Sequence, residues 1–148
     1  GDAKISTVEH ILAALVGMGV DNLLIEDLDL FYQHLFKFVK ESNAVQIGQF
    51  FDLQYVQRES YPSKFIYSYL RYTNEEKLLF VNNFHSTESI YVEIIIPDLA
   101  FELMGHYNIN WEIQHVFTPP TVVYEKHKIS NKISLEITPN SSIILKAI

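Results

Sequence analysis

The side chains of this chain that could take part in catalysis lie near its start, where Glu9 and His10 are adjacent. A carboxylate beside an imidazole can act in proton transfer, so this pair is a candidate fragment of a catalytic site. The alternative is structural, because Ser6 and Glu9 have the spacing of a capping box at a helix N-terminus. The other histidines are isolated in the sequence: His34, His85, His106, His115 and His127.

Further acidic residues fall in predicted turns or strands, namely Asp52, Glu93, Asp98 and Glu102. We interpret these four residues as solvated surface charges.

Aromatic residues are frequent, with 10 Phe, 9 Tyr and the single Trp111. Strands favour bulky rings, which pack well on a pleated, half-buried surface, so the main interpretation is a β-rich core. The alternative is a carbohydrate-binding surface on which Trp111 acts with exposed tyrosines such as Tyr107 or Tyr124. A lone Trp in a β-domain is more often a core residue.

Composition narrows the class of protein. A chain of 148 residues is long enough for one domain, or for a domain with an appendage. The absence of cysteine excludes disulfides and thiolate metal sites. A net charge of −7 with scattered basic residues argues against a nucleic-acid partner, which requires a clustered basic surface. The longest apolar run, residues 11–20, contains glycine and is too short to cross a bilayer, so no membrane partner is expected.

Two helices and a short strand are predicted in the N-terminal part. The first helix starts at Ser6 or Thr7, ends at Gly17 and Gly19, and is followed by a strand over 22–26. The second spans roughly 29–42 and is capped by Asp27-Leu28-Asp29. Its apolar residues recur at helical spacing and predict a buried stripe: Leu30, Phe31, Leu35, Phe38 and Val39.

From Val45 onward the hydrophobic period changes to two, which is typical of strands. Strands are predicted over 45–56, 65–72, 77–84, 89–96, 111–117, 121–125, 132–138 and 142–146, with one helical turn at 98–105. Residues 77–84 are strongly apolar and are assigned to a central strand, and Gly48 to a bulge. The last two strands are predicted to form a hairpin across Pro139-Asn140. Short strands separated by regular turns indicate a sandwich or a barrel.

Three segments between residues 28 and 148 carry a resemblance in their order and spacing. LDLFYQHLFKFVKESNAVQIGQF (28–50) contains Phe31-Tyr32, Leu35, Asn43-Ala44-Val45 and Gly48. FIYSYLRYTNEEKLLFVNNF (65–84) joins two strands through a charged turn, and SLEITPNSSIILKAI (134–148) ends in an aliphatic strand. Together they resemble the C-terminal region of α-amylase-family glycoside hydrolases, over about four-fifths of the chain.

The resemblance implies a mainly β fold, an antiparallel Greek-key β-sandwich preceded by two α-helices. It divides the chain into a helix-turn-strand appendage (1–27, which can be a foreign segment), a barrel-derived linking helix (28–44) and the β-sandwich domain (45–148). In that family the catalytic Asp and Glu belong to a (β/α)8 barrel whose motifs do not occur in this sequence. The resemblance therefore supplies no catalytic residue, and the calcium that the family often binds belongs mainly to the missing barrel domains.

A second resemblance concerns the N-terminal segment. Residues 5–26 contain Ser6-Thr7-Val8-Glu9-His10, Leu12-Ala13-Ala14-Leu15, Gly17-Met18-Gly19, Asp21-Asn22 and Ile25-Glu26. This segment is similar to the zinc-dependent UDP-3-O-acyl-N-acetylglucosamine deacetylase of lipid A synthesis. The similarity implies that His10 is a zinc ligand and Glu9 a general base acting on metal-bound water. A catalytic zinc site needs about three protein ligands, and the family's His-x-x-x-Asp pair is missing from this sequence.

These observations predict a non-catalytic C-terminal accessory domain of an α-amylase-like enzyme acting on α-glucans, with no cofactor of its own. Its predicted partner is the missing catalytic barrel, with an α-glucan as a weak contact and a homodimer through the helices if the apolar stripe stays uncovered. The alternative is a fragment or fusion related to the zinc-dependent deacetylase.

Overall fold

Alternating side chains build the sheets that dominate this protein. The computed structural model describes residues 25–57, 64–105, 109–114 and 131–148. Within these ranges, seven strands form two antiparallel sheets: β1 Gln49–Asp52, β2 Ile66–Tyr72, β3 Lys77–Asn83, β4 Ile90–Ile95, β5 Trp111–Gln114, β6 Lys132–Ile137 and β7 Ser141–Ala147. One sheet has the order β1-β2-β3-β7-β5, and the other pairs β4 with β6. The protein is thus mainly β with helices at the N-terminal end of the described part, as predicted.

Strand β3 lies at the centre of the five-stranded sheet, and all seven of its residues are buried. It pairs with β2 across the turn at 73–76, so that Tyr72 faces Lys77, and with β7 on its other side. The predictions of a central strand over 77–84 and of a charged turn that joins it to the preceding strand are both confirmed. A strand buried on both faces needs cover on each of them.

The second sheet covers one face, and the two sheets share a hydrophobic core. The short helix α3 (Asp98–Met104) adds Ala100, Phe101 and Met104 to this shared core and ends at Gly105, whose φ of 72° is left-handed. Most other members come from strands of both sheets: Ile66, Leu70, Tyr72, Leu79, Val81, Val92, Ile94, Trp111, Ile133, Leu135, Ile137, Ile143 and Leu145.

Helix α1 (Ile25–Glu41) covers the opposite face of the five-stranded sheet. It begins earlier than expected, so residues 25 and 26 are helical rather than extended, and Asp27 lies inside the helix rather than at its cap. Leu35 is buried and Phe31, Phe38 and Val39 are half-buried, as the stripe predicted. Leu30 is 51% exposed, so its assignment to the stripe was wrong. The first predicted helix lies outside the described residues.

The segment predicted as one strand over 45–56 is instead a short helix, a strand and a 3-10 turn. Helix α2 (Asn43–Ile47) precedes β1, and the 3-10 turn follows at Gln54–Val56. The Ser42 hydroxyl caps α2 by accepting a hydrogen bond from the Val45 amide at 3.2 Å. Gly48 ends α2 rather than forming a bulge, because a Cβ there would lie 2.8 Å from the Cα of Ala44.

The two last strands do not form the predicted hairpin. Strand β6 pairs with β4 and β7 pairs with β3 and β5, so the turn at Pro139-Asn140 carries the chain from one sheet to the other. Asn140 adopts a left-handed φ of 48°, which Asn tolerates better than most residues. The backbone amide of Asn140 donates to the His85 carbonyl at 3.0 Å. The side-chain amide of the buried Asn83 donates to the Ile137 and Thr138 carbonyls.

The remaining predicted elements agree with the structure where it describes them. Strand β5 is described as far as Gln114, and the strand predicted over 121–125 lies outside the described residues. In the described part of the chain, no helix is long and apolar enough to span a membrane.

We expect Leu79→Ala to lower the free energy of unfolding by about 2–5 kcal/mol, because Leu79 is fully buried in the shared core and its truncation leaves a cavity. Urea denaturation measures this change. The control is Leu99→Ala on α3, where the side chain is 52% exposed and the change should stay within about 0.5 kcal/mol. Equal losses in both variants would contradict the described core.

Candidate functional site

The candidate site is the face of the five-stranded sheet that points away from the shared core, here called the outer face. Alternation along each strand places its side chains there. They are Tyr67, Tyr69 and Arg71 on β2, Leu78, Phe80 and Asn82 on β3, and Ser142, Ile144 and Lys146 on β7. Helix α1 packs on this face through Leu35, which is 1% exposed.

A row of aromatic rings forms the middle of the outer face. The ring of Tyr69 stacks on that of Phe80, with centroids 4.8 Å apart and planes 3° from parallel. Tyr67 and Phe50 flank Tyr69, with centroid distances of 5.5 and 5.4 Å. Such pairs stabilise by about 0.5–1.5 kcal/mol beyond their buried area, so the row contributes to the stability of the sheet.

The cover that α1 gives to this face is incomplete. Phe50, at the edge strand β1, is 51% exposed although its ring contacts Tyr69. On α1, Phe36 is 56% exposed and stacks against Tyr32 at 5.9 Å. Exposed rings that are continuous with a buried apolar cluster mark surfaces where another molecule or domain packs.

Beside the rings, the outer face carries a polar pair. The Asn82 side-chain amide donates to the Tyr67 carbonyl at 3.1 Å, and the Ser142 hydroxyl donates to the Asn82 side-chain oxygen. Asn82 is 2% exposed, so these bonds satisfy groups that would otherwise be costly to bury. The pair joins β3 and β7 side by side.

Burial controls the protonation of the two tyrosines. Burial raises the pKa of Tyr69 well above its ordinary value, the neighbouring Tyr67 raises it further, and Arg71 offsets part of the rise. The pKa of Tyr67 is also raised, by burial and then by the negative charge of Asp52. Both phenols therefore stay neutral near pH 7, which suits packing and hydrogen bonding rather than nucleophilic chemistry.

Trp111, the described residue among those predicted to bind carbohydrate, is not on the outer face. Trp111 is 5% exposed and belongs to the shared core, the position that is more frequent for a lone Trp. Tyr107 and Tyr124 lie outside the described residues. Glu9 and His10, the candidate general base and zinc ligand, also lie outside the described residues.

The acidic residues singled out in the sequence lie at the surface. Asp52, Asp98 and Glu102 are exposed, and Glu93 forms a 3.0 Å ion pair with Lys132, which confirms their assignment as surface charges. In the described ranges, no three His, Cys, Asp or Glu side chains are placed to hold a metal ion.

The outer face itself was not singled out from the sequence. The signal that could have shown it is the run of aromatic residues at alternate positions, Tyr67 and Tyr69, on a strand whose other face is also apolar. Strands that are apolar on both sides are those that sheets bury on both sides.

Comparison with solved structures shows that this chain shares its fold with a part of α-amylase-family glycoside hydrolases. An α-amylase from H. orenii matches with a TM-score of 0.53 and 13% identity, over 80% of this chain and 20% of the enzyme. The trehalose-6-phosphate hydrolase of Bacillus licheniformis matches with a TM-score of 0.52 and 22% identity, over 78% of this chain and 17% of the hydrolase.

The match concerns a small part of these enzymes, since the chain spans a fifth or less of their length. No protein-family model matches the sequence. No curated protein matches it either. At such identities the likeness establishes a shared fold and does not assign the activity of either enzyme to this chain.

We expect the free energy of unfolding to fall as the pH rises above about 10, where tyrosines ionise in the unfolded chain while folded Tyr69 keeps its proton. Stability from this group is present below pH 10 and is lost above it. Tyr69→Phe should flatten the decline, measured by urea denaturation between pH 8 and about 11. Tyr91→Phe is the control, because Tyr91 is 71% exposed. A decline in Tyr69→Phe as steep as in the wild type would contradict a raised pKa of Tyr69.

Proposed function

We propose that residues 28–148 form the non-catalytic C-terminal accessory domain of an α-amylase-like glycoside hydrolase acting on α-glucans. The observation that carries this proposal is the incompletely covered outer face, in a chain whose fold matches a fifth or less of two such enzymes. In this proposal the chain is not an enzyme by itself, and a catalytic barrel is its partner.

The proposed position of the barrel follows from the exposed rings. Phe50 lies at the edge of the aromatic row and Phe36 lies on α1, so both border the same apolar cluster. A barrel packed there would bury both rings and would complete the cover of α1. Without the barrel, the same rings can bring two copies of the chain together, which is the homodimer expected from the sequence.

The proposed domain division keeps residues 1–27 as an appendage, 28–44 as the linking helix and 45–148 as a Greek-key β-sandwich. The shared core between the two sheets supports the sandwich, and the crossing from β6 to β7 supports a topology more complex than a meander. Helix α1 runs without a break from residue 25 to 41 and so includes the boundary at 27–28.

The alternative function is a fragment or fusion related to the zinc-dependent UDP-3-O-acyl-N-acetylglucosamine deacetylase. It depends on Glu9 and His10, and no contact of the described residues supports it. Stoichiometric zinc that is lost in His10→Ala would favour this alternative, and the absence of zinc at micromolar concentrations would exclude it.

A chimera tests the accessory role. Residues 28–148 replace the matching segment of the trehalose-6-phosphate hydrolase, and hydrolysis is measured after incubation at rising temperature. We expect activity to survive the exchange and to be lost at lower temperature in the double variant Phe36→Ser, Phe50→Ser, which removes the rings proposed to contact the barrel.

The matched control of the chimera is Leu99→Ser, Leu103→Ser, which removes two side chains of similar exposure, 52% each, from α3. This pair lies on the helix that packs against the shared core. A chimera with equal sensitivity to both double variants would argue against the outer face as the contact.

Weak α-glucan contact is tested by titrating the chain with linear maltooligosaccharides and following two-dimensional NMR spectra. If the proposal holds, saturable shifts will cluster at exposed rings rather than at Trp111, which is buried. Tyr91, 71% exposed on β4, is the first such ring to mutate, and Tyr91→Ala should then remove the shifts. Spectra unchanged at millimolar sugar would leave a purely structural domain.

A further inference from the structure

The junction between α1 and the five-stranded sheet is held by a carboxylate from a distant turn. Glu76, in the loop between β2 and β3, accepts hydrogen bonds from the Ser42 hydroxyl and the Ala44 amide, both at 2.8 Å. Its other oxygen accepts a bond from the Lys146 ammonium at 3.2 Å. Ser42 is 2% exposed and lies between α1 and α2. Its bond to Glu76 therefore acts where the chain turns from one helix into the next.

A positive charge holds the other end of the same turn. The Arg71 guanidinium donates to the Ala44 carbonyl at 3.2 Å and to the Val45 carbonyl at 3.1 Å. The amides at the start of a helical turn carry partial positive charge and the carbonyls at its end carry partial negative charge. Glu76 and Arg71 therefore each meet the end of α2 that has the opposite sign.

We infer that Glu76 and Arg71 form an electrostatic latch that holds α2, and through Ser42 the end of α1, in one orientation on the sheet. Neutralising Glu76 makes local opening of α1 more frequent, while the two sheets stay folded. The inference concerns this chain alone and does not depend on the proposed function.

Separate release is physically reasonable because α1 is outside the shared core. The members of that core come from the strands, α3 and the segments beside them, whereas Leu35, Ala44 and Val45 belong to the cluster on the outer face. Local opening of elements that contribute little to the main core costs less free energy than global unfolding.

The charged groups around Glu76 come from five elements. Lys146 lies on β7 and Arg71 on β2, whereas Lys77, at the start of β3, donates instead to the Asn74 carbonyl at 2.5 Å. Glu112 on β5 is the cross-strand partner of Lys146. At the end of α1, Lys40 and Glu41 are exposed to solvent.

These surroundings set the direction of the pH effect. Burial of the Glu76 carboxyl raises its pKa, but the bonds from Ala44 and Ser42 and the charge of Lys146 together outweigh burial, so the pKa lies below its usual value. A carboxyl with a lowered pKa contributes stability that is present above its unfolded value and is lost as the pH falls through its folded value. The latch is therefore closed at neutral pH and opens in acid.

Amide hydrogen exchange followed by NMR tests the latch. In Glu76→Gln, which keeps the shape and removes the charge, protection of the Ala44, Val45 and α1 amides should fall about ten-fold or more, while β3 and β7 amides change less than about two-fold. Glu75→Gln is the matched control, because the Glu75 side chain is exposed and makes no bond to α2 among the described contacts. Equal behaviour of the two variants, or an equal loss in α1 and the sheets, would overturn the inference.

A second measurement decides the matter if Glu76→Gln does not fold. In the wild type, lowering the pH from 7 to about 3 should unprotect α1 amides before those of β3. Lys146→Met removes one group that favours the Glu76 carboxylate and should move the midpoint of this release to higher pH. Simultaneous loss of all protection, or a midpoint unchanged in Lys146→Met, would overturn the latch.

Discussion

The burial of β3 on both faces is the constraint on which the rest of this structure depends. A strand with no solvated face needs an apolar layer on each side. A second sheet packed against the first covers only one of these sides. Here the second sheet and α3 cover one side and helix α1 covers the other.

The two layers differ in how completely they bury the side chains of the five-stranded sheet. The shared core encloses fully buried side chains from both sheets, such as Leu79, Ile94 and Leu145. In the described part of the chain, α1 is the helix that covers the outer face, and Phe36 and Phe50 are about half exposed. An apolar layer that ends in exposed rings is typical of a domain that packs against another.

The junction at Ser42 shows how a short segment can control a large surface. Helix α1 can cover the outer face only if it is oriented correctly relative to the sheet. The five residues of α2, which join α1 to β1, set that orientation. Local hydrogen bonds are too few to hold so short a helix by themselves. Glu76 and Arg71 reach it from β2 and the following turn, so the covering layer is tied to the sheet that it covers.

Much of the fold could be predicted because it depends on local alternation. The turn at 73–76, the central strand, the short helix after Pro97 and the approximate limits of most strands follow from period, propensity and turn residues. Errors occurred where a distant group prevailed over local pattern. Residues 45–47 alternate well enough for a strand, but Ser42 and Glu76 stabilise a helix there.

The sequence by itself determined which residues alternate, where turns interrupt them, and that the chain would form a β-rich core. Only the tertiary structure decided which strands became neighbours, because β6 and β7 are adjacent in sequence yet lie in different sheets. It also decided that Trp111 faces the core and that Tyr69 and Phe80 stack on the outer face. The physical reason is that pairing and burial depend on groups far apart in the chain, which local periodicity does not record.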